Sequence, residues 1–276
     1  MSSPRTDNAV VFERAFALMD RLDERTAERL EPTPYGPVLV HTRLARVHDL
    51  NFLRAEEPGD ATAEELAAEA ERVQGAAGID HRRVNVRGEE QQKRFEPRFV
   101  ELGWEPQRFL LMVQRRGPDR PAEHEVREVD EPTLRPLWAE GISSQPWASK
   151  PLVQQIFEHR RDVGQAIPTQ YFAAEADGRL VGHAELYSED GVGQVENVFT
   201  LPDYRGRGLA RSLVLRGVAE SHAAGNDLTF LVADADDWPQ RLYVKLGFET
   251  VGRYARFLRK SSTLRRKSTG STAGNR

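Results

Sequence analysis

"VENVFTLPDYRGRGLARSLV", Val195 to Val214, is the stretch on which the reading of the fold turns. Its alternating apolar residues make a strand that runs out at Thr200-Leu201. Pro202-Asp203 turns the chain, and Arg205-Gly206-Arg207-Gly208-Leu209-Ala210 opens a helix. Glycines at 206 and 208 let the backbone turn sharply and approach a ligand closely. The free N–H groups of the helix's first turn, at the positive end of its macrodipole, suit an anion and a pyrophosphate above all. Arg205, Arg207 and Arg211 strengthen that field. A P-loop would need Gly-Lys-Ser/Thr, and a dinucleotide fingerprint would need a small residue at 211, where Arg stands. The plain alternative is a glycine-rich turn with solvated arginines.

Around this stretch, strands and helices alternate. "EVREV" is a short strand, "LRPLWAEG" and "PLVQQIFEHRRDV" are helical, and "YFAAEADGRLVGHAELY" is a hairpin turning at Asp177-Gly178. "DLTFLVA" is a buried strand, "PQRLYVKLG" a helix closed by Gly247, and "YARFLRK" a last strand. The pattern is α/β in the α+β sense: a mixed, mostly antiparallel sheet flanked by helices.

The first half repeats that order, with a strand expected over "VHDLNFLRA" and a helix over "AEELAAEAERVQGAAG". "RFVELGWEPQRF" from Arg98 returns as "RLYVKLGFETVGRY" from Arg241. Asp49 matches Glu196, Gly78 matches Gly225 and Gly103 matches Gly247. Matches in order at a nearly constant offset indicate duplication. Two changes in the first copy are chemical. Phe99 stands where the second has Tyr243, and Pro58-Gly59-Asp60-Ala61-Thr62-Ala63, followed by two glutamates, stands where the second has Arg205 to Ala210.

At 276 residues the chain has room for two domains. The polar stretch "QRRGPDRPAEH" reads as a linker, which gives domains over 1–116 and 125–260, a linker over 117–124, and a disordered basic tail over 261–276. A net charge of -4 gives no reason to expect nucleic-acid binding. The absence of cysteine removes thiolate metal sites and cysteine nucleophiles, and fits a cytoplasmic protein. No run reaches membrane-spanning length, and the histidines show no ligand spacing, so neither membrane nor metal is implied.

The motif Arg205 to Ala210 resembles the pyrophosphate loop of the GNAT-type acyltransferases, Arg/Gln-x-x-Gly-x-Gly/Ala, position by position. "VFTLPDYRGRG" and "LYVKLGFE" are similar to the superfamily's other conserved phrases. The resemblance covers roughly Val126 to Arg259 and extends, degenerately, to the first half, so the whole looks like two tandem GNAT-like domains. It implies acetyl-CoA as acyl-donor cosubstrate and a primary amine as acceptor, read as a small molecule. It also implies that main-chain N–H groups of Gly206 to Ala210, helped by Arg211, bind the pyrophosphate, and that the backbone of Val198, Phe199 and Thr200 pairs with the pantetheine arm. Tyr243 lies where the superfamily often places a tyrosine near the sulfur. A phenol there suits the departing thiolate.

Glu196, two residues before Val198 and so expected on the same strand face, suits deprotonation of the amine, directly or through water. Its alternative is an ordinary structural or solvated glutamate. Asp234, Asp236 and Asp237 are either an acceptor site or a solvated loop. For Trp138, Trp147, His183 and Glu185, core packing or surface is expected ahead of acceptor binding. Without a cysteine nucleophile the expected course is direct attack in a ternary complex. The rival is a non-catalytic acyl-CoA-binding or sensor module, and nothing in the sequence sets the oligomeric state. The first copy, without paired glycines, arginines or phenol, is expected to keep the fold and lack the chemistry.

Overall fold

The computed structural model describes residues 4–260; the tail expected over 261–276 lies outside the described residues. By their contacts the residues form two compact units. The first joins the N-terminal segment up to Thr26 to Phe109–Gly252, and the second joins Ala27–Arg108 to the chain from Arg253 on. The crossings therefore fall inside elements and short loops, not in the stretch read as a linker over 117–124.

In the first unit the strands are ordered β5 (Glu105–Gln114, from Phe109), β10 (Leu228–Asp234), β9 (Val192–Thr200), β8 (Arg179–Glu189), β7 (Thr169–Ala176) and β6 (Val126–Val129). All neighbours are antiparallel except β10 and β9. The expected hairpin between β7 and β8 is present, with Asp177 and Gly178 at φ 51° and 73°, the left-handed pair that matches strand twist. Helices α4 (Glu131–Ser143), α5 (Lys150–Ala166), α6 (Leu209–Ala223) and α7 (Pro239–Lys245) flank this sheet. The core is one cluster that includes Leu134, Trp138, Phe172, Leu213, Leu231 and Phe248.

The long N-terminal helix α1 (Pro4–Thr26) also belongs here. Ala15 and Leu18 on it are fully buried, Arg14 pairs with Asp227 at 2.7 Å, and Arg21 and Arg25 clasp Glu189 at 2.9 and 2.6 Å.

In the second unit β1 (Arg29–Glu31), β2 (Val38–Val40), β3 (Phe52–Ala55) and β4 (His81–Arg87) are followed by the second part of β11 (Phe248–Lys260). The expected strand from Val47 is extended only from Phe52, because His48–Leu50 forms a 3-10 turn. Helices α2 (Ala63–Ala76) and α3 (Glu89–Glu101) cover a separate core of Leu53, Leu66, Val84, Phe95, Phe99 and Phe257.

The division corrects the domain boundaries read from the sequence, for a definite reason. Beside β10 lies β5, from the first half of the chain, with Phe230↔Val113 through Asp234↔Phe109 in register. Beside β4 lies β11, from the second half, with Tyr254↔Arg87 through Lys260↔His81. Duplicated strands carry similar patterns, so each half's last strand can fill the other copy's position. Sequence order does not show which pairing is made.

No helix among the described residues is long and apolar enough to cross a membrane.

A fragment beginning at Gly117 lacks both α1 and β5, and leaves the edge of β10 from Phe230 to Asp234 bare. Such an edge invites aggregation. Expressed as residues 117–260, the chain should be insoluble or should unfold well below the intact protein. A soluble fragment with the intact protein's melting temperature would contradict this assignment.

Candidate functional site

Strands β9 and β10 start together and part. Val192, Gly193 and Gln194 pair with Leu228, Thr229 and Phe230, after which each strand runs on without the other, to Thr200 and Asp234. Beyond the fork, β10 stays paired to β5 and β9 to β8, and among the described residues no strand pairs with β9 from Val198 to Thr200 on the side that faced β10. An extended ligand carrying amide groups can add to such an edge as a strand does. Val198 and Phe199 are half-buried and Thr200 is buried. The ring of Phe199 packs toward Gly141 and His183, leaving its backbone for the edge.

The strand leads through a 3-10 turn at Pro202–Tyr204 into the glycine loop. Gly206 and Gly208 have φ of 76° and 86°, where a side chain would be strained. Gly208 caps α6 with no side-chain hydrogen bond, and the first helical bond runs from Ser212 N–H to the Gly208 carbonyl. The N–H groups of Leu209, Ala210 and Arg211 thus lack partners within the helix, as helix geometry requires of a first turn.

The three arginines do not act alike. Arg205 and Arg207 are exposed, the first donating to the Thr200 carbonyl at 3.2 Å and the second lying over the Tyr204 ring at 4.9 Å. Arg211 instead is buried, bonded to Asp119 at 2.7 Å and to the Arg120 carbonyl at 3.0 Å. Its side chain, expected to strengthen the field for an anion, is here engaged with an acid of the chain itself. The stretch read as a linker is bound to this helix. The Glu123 and His124 N–H groups donate to Ser212, and the His124 ring bonds the Arg207 carbonyl at 2.5 Å.

Across the fork, Tyr243 on α7 is 9 % exposed. Burial first, then the charges of Glu196 and Asp237, push its hydroxyl up to about 12. Glu196 is half-buried and accepts from Gln194 Nε2 at 2.6 Å. The expectation that Glu196 and Val198 share a face does not hold. Glu196 lies opposite Glu185, and Phe199, three residues on, lies opposite His183. Glu185 and His183 share a face of β8, so Glu196 and Phe199 share one as well, and the phase is broken between them.

Trp138 and His183 are core residues, 1 % and 3 % exposed, with rings 6.0 Å apart; burial holds the imidazole well below its usual range. Trp147 and Trp238 are exposed. Asp234 and Asp237 accept from main-chain N–H groups of their own turn at 2.8 and 2.7 Å. Sequence reading passed over Asn197, which bonds Glu185 and Tyr187, and Arg160, which pairs with the same Glu185. The available signal was an asparagine interrupting the apolar alternation of Val195 to Phe199, at a residue type that tolerates left-handed backbone.

In the second unit the same positions are closed. Thr62 and Glu65 form a capping box on α2, with Thr62 accepting from the Glu65 N–H and the Glu65 carboxylate from the Thr62 N–H at 2.7 Å, so the helix end is filled by the chain's own acid. Leu53, Arg54 and Ala55 pair with Val84, Asn85 and Val86, so β3 stays bonded to β4 up to its last residue, whereas β9 leaves β10 after Gln194. Phe99 is fully buried, stacked on Phe257 at 4.3 Å with Trp104 at 5.0 Å.

A family model described as "Acetyltransferase (GNAT) family" matches residues 134–248. The glucosamine 6-phosphate N-acetyltransferase of Trypanosoma brucei brucei is 32% identical over 108 residues, covering 37% of this chain and 71% of that one. The mycothiol acetyltransferase of Thermobispora bispora is 40% identical over 89 residues, 29% of this chain, and the match takes in only 30% of that protein's length. A solved structure, the GCN5-related N-acetyltransferase from Kribbella flavida, shares the fold with a TM-score of 0.62 at 20% identity, over 93% of this chain and 98% of that one.

Raised to about 12, Tyr243 should keep its proton throughout the ordinary working range. Alkaline absorbance titration of wild type and Tyr243→Phe should differ only above about pH 11, a unit beyond the ~10 of a free phenol. A difference centred near pH 10 would show a hydrated hydroxyl.

Proposed function

Because the chain belongs to the GNAT family of acetyltransferases, we propose that its first unit transfers an acetyl group from acetyl-CoA to a primary amine. The observation that carries the proposal is the fork of β9 and β10 opening beside a glycine-led helix without a side-chain cap, with Glu196 on β9 past the last paired residue and Tyr243 on the helix that packs on β10. The pyrophosphate would lie on the N–H groups of Gly206 to Ala210, with Arg205 and Arg207 exposed nearby, and the pantetheine arm along the free edge from Val198 to Thr200. Relatives named for mycothiol and for glucosamine 6-phosphate support a small-molecule acceptor.

The chemistry is direct attack. Glu196 takes a proton from the amine, itself or through water, and the nitrogen lone pair adds to the thioester carbonyl carbon. The tetrahedral intermediate then expels the thiolate by breaking the C–S bond. Tyr243 faces the leaving sulfur. A phenol near 12 is a weaker acid than a thiol at about 8.5, so complete transfer from it is uphill. Its contribution is a hydrogen bond to the charge growing on sulfur, while solvent supplies the final proton. We propose further that the second unit is a scaffold without cofactor chemistry. Its capping box, its paired β3 and β4, and its buried Phe99 support that reading.

Tyr243→Phe should bind CoA as wild type does and turn over roughly 10²-fold more slowly, the usual scale for a lost proton-handling group. Unchanged turnover would return Tyr243 to packing alone. Gly208→Glu adds a strained side chain and a like charge at the loop, and should abolish CoA heat in calorimetry. CoA binding by wild type with no thiol released across a panel of amines would leave a non-catalytic acyl-CoA-binding protein in place of a transferase.

A further inference from the structure

Between the pairs Glu185↔Glu196 and His183↔Phe199, one residue of β8, Ala184, faces two of β9, Asn197 and Val198. This is a bulge, and its left-handed residue is Asn197, at φ 52°. Left-handed backbone is unfavourable for any side-chain-bearing residue, least so for asparagine, and it persists where surrounding bonds over-determine it.

Here they do. The Asn197 amide donates to Glu185 Oε2 at 3.0 Å and contacts Tyr187 Oη at 3.1 Å, while that hydroxyl donates to the same carboxylate oxygen at 2.7 Å. Arg160 on α5 donates to the other oxygen, Oε1, at 2.5 Å. Its guanidinium lies 4.3 Å from the centre of the Trp138 ring on α4. Glu185 is 1 % exposed and Tyr187 5 %. A buried carboxylate with three donors is geometrically fixed, because releasing any donor leaves charge or polarity uncompensated.

What the bulge sets is the phase of β9. One extra residue puts Glu196 and Phe199 on the face of Glu185 and His183, and it lies on the stretch where β9 has already left β10. We propose that Asn197 and Glu185 are positioning residues of the transferase site. Through the amide–carboxylate bond they hold the left-handed turn that presents the free edge from Val198 to Thr200 and aims Glu196 into the fork. The inference rests on the acetyl-CoA reading above for its ligand, and on the bulge alone for its geometry. Arg160 extends the same network to α5 through its ion pair with Glu185.

The test is a set of four variants, Asn197→Ala, Asn197→Gly, Glu185→Gln and the Glu185→Gln/Asn197→Gly pair, in the full chain with CoA as the calorimetric probe. Asn197→Ala loses the bond and keeps the strain, and should weaken CoA binding about tenfold. Asn197→Gly loses the bond without the strain and should recover most of that loss. Glu185→Gln should weaken binding in the wild-type background and add nothing in the Asn197→Gly background, since its effect passes through Asn197. Equal affinities for the alanine and glycine variants, or a Glu185→Gln effect undiminished beside glycine, would overturn the proposal.

Amide hydrogen exchange at Val198 to Thr200 separates this inference from the function it builds on. Should wild type fail to bind CoA, the acetyl-CoA reading falls. Faster exchange in Asn197→Ala than in Asn197→Gly would then still uphold the lock, and equal exchange would refute it.

Discussion

Two parallel strands that pair for three residues and then separate set the problem the rest of the first unit answers. Backbone N–H and C=O groups freed inside a protein must find partners. Beyond the fork, β5 holds only the far edge of β10 and β8 only the far edge of β9, across the bulge at Asn197, so the groups that had turned toward each other face the gap. This arrangement leaves one edge of β9 facing the gap. The chain then passes from that edge, through the short turn at Pro202–Tyr204 and the glycine loop, into a helix whose first turn has no side-chain cap. A strand edge and a helix N-terminus, both main-chain features, are thereby consecutive in the chain.

The second unit shows what the same architecture becomes when each of these openings is satisfied internally. Its parallel pair stays bonded up to the last residue of β3, its helix is capped by Thr62 and Glu65, and its aromatic on α3 is enclosed by Phe257 and Trp104. These are stabilising features. A capping box offsets orphan N–H groups, stacked aromatics add packing, and paired strands leave no polar groups bare. An open site forgoes all three, so the contrast between the copies is also one between local stability and room for a ligand.

The exchange of last strands ties each unit's integrity to both halves of the sequence. The β10 edge is covered by residues 109–113 and the β4 edge by residues 254–260. Gly247 shows how tightly one junction is made. At φ 93°, a Cβ there would lie 2.0 Å from the Arg116 carbonyl oxygen, whereas its counterpart Gly103 has nothing within 4 Å. The shared phrase Leu-Gly-aromatic-Glu therefore has a helix-ending role in both copies and a close-packing role in one.

Local conformation was legible in the sequence. The glycine spacing at 206 and 208, the hairpin at Asp177-Gly178, the repeat, and the loss of Tyr243's hydroxyl at Phe99 are set by single residues and by periods of two or 3.6, and the structure contains each of these elements as read. Pairing between distant segments was not legible. Which strand lies beside β10, that Arg211 turns to Asp119, and that Glu196 faces with Phe199 instead of Val198 all depend on partners many residues away. A strand's alternation does not name its neighbour, an arginine's charge does not choose between an anion and an aspartate, and one bulged residue reverses every later side chain. Those choices were made by tertiary packing, because only there do Glu185, Arg160 and Asn197 meet in a place from which water is excluded.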